Sequence, residues 1–72
     1  MTMTTAEWVL IAIDETHFYE HSGADVAQII EYVDFHERLR LTPTQVEAAL
    51  KRLSKQERIL KRGEKYFPLV EL

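Results

Sequence analysis

The sequence predicts a small α+β domain with three helices, a short strand before the third of them, and a C-terminal two-stranded hairpin. Two observations carry that expectation. Three capping signatures each precede an apolar stretch, and after Ser54 helical spacing gives way to two short strand-like runs around a glycine. A chain of 72 residues has room for one core, because a domain this small removes only about 60% of its unfolded surface from water. Residues 1–72 are therefore expected to form a single domain, with Met1 to Met3 frayed.

Thr4 with Glu7, Ser22 with Asp25, and Thr42 with Gln45 each place a hydroxyl three residues before a side chain that can reach back to it. In such a box the hydroxyl accepts from an orphan first-turn amide. The later side chain accepts from the cap's own amide, and the pair fixes where a helix begins. The first box predicts a helix over about Thr5 to Thr16. Its apolar residues, Trp8 to Ile13, surround it on every side, and their β-branching would also suit a buried strand, so the box decides for helix. The second box predicts a helix from about Gly23 to about Asp34, with Val26, Ile29, Ile30 and Val33 on one stripe and Tyr32 and Phe35 flanking it.

Pro43 strengthens the third box, since a proline at the first helical position loses no hydrogen bond. Val46, Ala49, Leu50 and Leu53 form the inward stripe of that helix. A projection at about 100° per residue sets Thr44, Ala48, Lys51 and Lys55 on the opposite face, flanked by Glu47 and Arg52. Before it, Arg38, Leu39, Arg40 and Leu41 alternate charged and apolar, as a short half-buried strand would. Arg58 to Arg62 and Lys65 to Val70 predict the hairpin, turning at Gly63 and Glu64. Pro68 cannot donate to a ladder, which restricts its strand to an edge or points that amide away from its neighbour. Tyr66 and Phe67 should face opposite sides, the outward ring being free to pack or to stack on a base.

With no cysteine, neither a disulfide framework nor a thiolate metal site is available. The longest apolar run, Trp8 to Ile13, is six residues, against the roughly 20 that cross a bilayer. It also lacks the basic flank of a secretion signal. A cytoplasmic protein without a membrane partner is expected.

Charge is divided along the chain. Eight of the twelve Asp and Glu residues lie at or before Glu37, and all nine Lys and Arg residues lie at or after Arg38. The first 37 residues thus carry −8 and the remaining 35, with nine positive and four negative charges, carry +5. The net charge of −3 hides this division, and the cationic half is where an anionic partner should be sought. Lys and Arg on one face displace condensed counterions from DNA, and a Gln side chain can pair with an adenine edge in the major groove.

The element order and the segment Thr42-Pro43-Thr44-Gln45-Val46-Glu47-Ala48-Ala49-Leu50-Lys51-Arg52-Leu53 resemble the winged helix-turn-helix superfamily of DNA-binding domains over nearly the whole chain. The resemblance implies that the third helix enters the major groove, that the hairpin wing touches the phosphate backbone, and that the earlier helices form the scaffold and often a dimer interface. Carried over by position, the groove-facing residues are Thr44, Gln45, Ala48, Lys51, Arg52 and Lys55, and the wing residues are Lys61, Arg62 and Lys65. The implied function is a transcriptional regulator on duplex DNA. Ala48 departs from the family pattern, in which many members place a base-reading Arg or Ser there, and Glu47 adds a negative charge beside the stripe. Gln56-Glu57-Arg58 stands where the family usually has a glycine. These departures favour an alternative, a protein-interaction module whose cationic face meets an acidic protein surface.

Trp8, Leu10, Ile11 and Ile13 are either the central core helix or, in a molecule too small to cover them, a surface buried by a twin subunit in a homodimer. His17-Phe18-Tyr19-Glu20-His21 matches the H-x-x-E-H string of inverted zinc peptidases. It falls at the end of the first helix, one residue before the Ser22 cap, and is expected to be a solvated helix end rather than a metal site. No Ser, His and Asp arrangement, phosphate-binding glycine loop or cofactor motif is present, so no catalytic, metal or cofactor residue is assigned.

Overall fold

The computed structural model describes residues 3–69, so the expected fraying of Met1 and Thr2 and the Val70 end of the second strand lie outside the described residues. The elements are α1 (Thr5–Glu20), α2 (Val26–Glu37), α3 (Pro43–Lys55), β1 (Ile59–Arg62) and β2 (Lys65–Pro68). Three helices precede an antiparallel hairpin, so the domain is α+β as expected. The core is fed by every element except β2, which lends it the half-buried Tyr66. Val9, Ile13, Ile29, Val33, Val46 and Leu53 are its largest fully buried side chains.

The first and third boxes form as the sequence indicates. Glu7 N–H donates to Thr4 Oγ1 at 3.2 Å, and Gln45 N–H donates to Thr42 Oγ1 at 3.2 Å, with the later side chain accepting back from each cap amide. The second helix begins later than expected. Asp25, not Ser22, is its cap: Gln28 N–H donates to Asp25 Oδ1 at 2.8 Å and Asp25 N–H donates to Gln28 Oε1 at 2.9 Å. Both boxes satisfy the local rule, and a distant pairing chooses between them. Ala24 N–H donates to the Tyr66 carbonyl at 3.0 Å and Tyr66 N–H donates to the Ala24 carbonyl at 2.9 Å. Residues so paired are extended, and α2 starts only once they have passed.

That pairing also relocates the short strand. Residues Arg38 to Leu41 join no sheet. Arg38 ends α2 in the left-handed region at φ 55°, and Leu41 alone of that alternation is buried. β2 is flanked by β1 on one side and by Ala24 on the other, so the single strand-like residue among the helices lies before α2 rather than before α3. Pro68 fits this frame. Tyr66 sends its amide toward Ala24, so the Pro68 nitrogen two residues on points the same way, past the end of that one-residue bridge and away from β1. Gly23 is needed for close approach: a Cβ there would stand 2.8 Å from Lys65 Cβ and from the Phe67 ring.

α1 runs four residues beyond the expected Thr16 and ends at His21, with φ 55°. The α3 terminus closes with Glu57 N–H donating to the Ser54 carbonyl and Arg58 N–H to the Leu53 carbonyl, at 3.1 and 3.0 Å. This double closure normally places glycine at the left-handed position, which Glu57 occupies at φ 56°. Glu57→Gly is therefore expected to stabilise the domain by about 0.5–1 kcal/mol, raising the thermal midpoint by roughly 4 °C; an unchanged or lower midpoint would show the backbone there to be unstrained. Asp25→Ala is expected to cost about 1 kcal/mol in urea melts, whereas Ser22→Ala should stay within about 0.5 kcal/mol of the parent. The reverse ranking would return the cap to Ser22.

Candidate functional site

α3 is held by its inward stripe, and its outer face is open. Thr44, Gln45, Ala48, Lys51, Arg52 and Lys55 are all exposed, as the helical projection requires. Gln45, Ala48 and Arg52 line a shallow groove with Thr4, Thr5 and Ala6 at the start of α1. No ion pair within 4.0 Å involves Lys51, Arg52 or Lys55 among the described residues. Gln45 is less free than its exposure suggests. Its Oε1 already accepts from Thr42 N–H at 2.9 Å, so a bidentate pairing with an adenine edge would break the cap that starts the helix.

The hairpin divides its cations. Lys61 lies opposite Tyr66 in the ladder, its Nζ 5.7 Å from the centre of that ring. It shares a groove with Asp25, Glu47 and Glu64, which makes that groove acidic, although none of the three forms an ion pair with Lys61 within 4.0 Å among the described residues. Arg62 is exposed at the tip, where Gly63 takes φ 62° at the first position of a two-residue turn. Lys65 is committed elsewhere. Its Nζ donates to Gln28 Oε1 at 2.8 Å and lies 3.9 Å from Asp25 Oδ2, which ties the hairpin to the cap of α2.

The remaining basic residues do not join this face. Arg40 approaches Asp34 at 4.0 Å, and Arg58 sits near enough to Asp14 to draw its carboxyl down. Desolvation by burial is the larger influence on Asp14 and raises it above its ordinary value, Glu15 adding to the rise while Arg58 and His17 oppose it. A raised carboxyl favours folding less once pH exceeds its folded value, and that penalty vanishes in acid. Tyr32 is likewise raised, first by burial and then by the nearby charge of Glu15. The division along the chain therefore survives in space only in part. α3 keeps three cations, and of the three expected in the hairpin Arg62 and Lys61 remain available.

Of the two hairpin rings, Phe67 covers Gly23 and meets His17 edge to face at 6.0 Å, and Tyr66 packs against the core, so both take a packing role. His17 is within α1, half-buried, and its Nδ1 has no hydrogen-bond partner. Phe18 to His21 are exposed where α1 ends, as expected of a solvated helix end, and His17 alone of the string is partly covered. Among the described residues no group of three or more His, Asp or Glu is arranged to hold a metal ion. Ile13 is fully buried and Trp8 and Leu10 pack against the core, in keeping with the core-helix alternative for these residues, while Trp8, Leu10 and Ile11 stay half-buried. Sequence reasoning missed the Asp25, Gln28 and Lys65 cluster, since only the strand register brings Lys65 to the cap. It also placed Phe35 beside the α2 stripe, whereas that residue sits opposite the stripe and is 82% exposed.

No protein-family model matches this chain, and neither the curated proteins nor the solved structures contain one that is significantly similar to it. Among the described residues no helix is long and apolar enough to cross a membrane.

Because the Lys65 side chain is 41% exposed, its hydrogen bond to Gln28 should be worth little in stability. A double-mutant cycle of Lys65→Met and Gln28→Met should give a coupling energy of roughly 0.5–1 kcal/mol. A coupling near zero would remove the tie between hairpin and cap.

Proposed function

We propose that this is a winged-helix protein that binds duplex DNA by electrostatic docking of α3 and the hairpin, a binding protein rather than an enzyme and a candidate transcriptional regulator. The observation that carries the reading is the outer face of α3, where Lys51, Arg52 and Lys55 are exposed and unpaired among the described residues. The hairpin that directly follows α3 supports it, because a cationic third helix with a two-stranded wing behind it is the part of the resemblance that this fold retains. Lys51, Arg52, Lys55, Lys61 and Arg62 neutralise phosphates, and Thr44 is left as the one uncommitted polar side chain near base edges. Such a protein reads sequence weakly. A pairing of two copies across α1 would centre on Ile11, with the half-buried Trp8 and Leu10 at its margins.

The second reading is a protein-interaction module that meets an acidic protein surface with the same α3 face. Asp25, Glu47 and Glu64 in the groove that Lys61 lines favour it, since they would repel phosphates at the hairpin. So does Ala48 at the centre of the outer face of α3.

The two separate by titration against a generic duplex of about 20 base pairs. If five cations contact phosphates, log K falls with log[salt] at a slope of about −4.5, roughly a 500-fold loss between about 50 and 200 mM. Lys51→Ala with Arg52→Ala should reduce that slope by about 2 on every sequence tested. Binding insensitive to salt and to the double substitution would end the DNA reading, and silence at low salt would leave the second.

A further inference from the structure

The α1 and α2 surface presents aromatic rings that the fold does not use. Phe18 and Tyr19, near the end of α1, are 72% and 73% exposed and meet each other edge to face at 5.0 Å. Phe35 projects from the outer face of the last turn of α2, with the His36 ring at 5.1 Å and the Tyr32 ring tilted against His36 at 4.2 Å. A shallow cleft beside the second group is lined by Glu20, Glu31, Asp34, Tyr32 and Phe35, and a neighbouring depression is lined by Phe18 and Tyr19 with Asp14 and Glu15. Thr16 and Glu20 of α1 line the cleft with Tyr32 and Phe35, so the end of α1 that carries Phe18 and Tyr19 borders it.

Exposed aromatic faces set among carboxylates suit a guanidinium or ammonium group. The ring attracts the cation through its quadrupole and the carboxylate completes the pairing. From Met1 to Glu37 the chain supplies no Lys or Arg of its own to this face. Arg40 reaches Asp34 only at the 4.0 Å limit and is itself almost fully exposed, and Arg58 approaches the Asp14 side of α1. A second copy is a poor occupant. Like faces would bring one −8 segment against another, and an acidic face seated on the α3 face of the next molecule would propagate without closing.

We infer that the Phe18, Tyr19, Tyr32 and Phe35 face docks an arginine-rich segment of a partner protein. This shares no residue with the α3 face and stands whether or not DNA is bound. Arginine is preferred to lysine because its planar guanidinium stacks on a ring while pairing with a carboxylate.

The test is an NMR titration of the full chain with an eight-residue Arg-Gly repeat peptide, beside its Lys-Gly and Glu-Gly counterparts. Shifts should be confined to residues 18–20 and 31–36, with the arginine peptide binding tighter than the lysine one and the acidic one not binding. Phe18→Ala with Phe35→Ala removes two exposed rings and should leave the fold intact by thermal melt. It should weaken arginine-peptide binding about fivefold or more. Three results would overturn the inference: no shifts at millimolar peptide, shifts spread over all carboxylates with the double variant binding normally, or light scattering showing self-association that Phe35→Ala abolishes.

Discussion

The pair of hydrogen bonds between Ala24 and Tyr66 is the constraint on which the rest of this small fold rests. A two-stranded hairpin is marginal by itself in water, and β1 with β2 gains a third neighbour only at this residue. Ala24 is fully buried, and a larger side chain there would displace the core beneath it. The bonds are modest in net terms, on the order of 1 kcal/mol each, but leaving either group unpaired in that buried position would cost more than making it gains. Their consequence is positional. They delay α2, direct the Pro68 nitrogen away from β1, and set Lys65 against the new cap and Phe67 over Gly23.

The same constraint decides which charges face solvent unpaired. In the hairpin register, Lys61 falls opposite Tyr66 and Arg62 opposite Lys65. Alternate residues point to opposite sides of the sheet, so one cation of the hairpin is drawn toward Asp25 and Gln28 while another lies over Tyr66 among Glu47 and Glu64. α3 escapes this division because a helix with a clean inward stripe projects all its remaining side chains to one arc. Its cations form the more coherent group for that reason, although the hairpin carries as many.

Elements set by neighbours in sequence were legible, and those set by strand register were not. Thr4 with Glu7 and Thr42 with Gln45 are closed within one helical turn, so the first and third helix starts follow from local chemistry. Ser22 with Asp25 and Asp25 with Gln28 are equally good local boxes, and the decision between them lies in Tyr66, far along the chain. The alternation at Arg38 to Leu41 imitates a strand because one residue, Leu41, must turn inward between helices, which needs no ladder. For the α3 face, exposure was readable by projection. The commitment of Gln45 was half-visible, since a residue that closes a capping box cannot also offer its oxygen to a base. The left-handed Glu57 was visible only as a missing glycine.

Net charge is a poor guide to what such a molecule attracts, because distance and screening decide how far its two poles feel each other. The body measures 30 × 25 × 25 Å, about three Debye lengths at physiological ionic strength. A phosphate or carboxylate resting on α3 at that salt responds to Lys51, Arg52 and Lys55 and is largely screened from carboxylates on the far side of the molecule. At about 0.01 M salt the Debye length grows to roughly 30 Å, the whole molecule comes within range, and its overall −3 begins to oppose an anionic partner. Attraction to a polyanion should therefore not strengthen without limit as salt is withdrawn, since the acidic helices enter the same field. An arginine-bearing partner at α1 and α2 meets the mirror image of this situation: local carboxylates dominate at physiological salt, and in dilute salt the net negative charge adds to their pull instead of opposing it. The two faces thus differ in how their attraction grows as salt falls, a difference that arises from one charge distribution and not from separate designs.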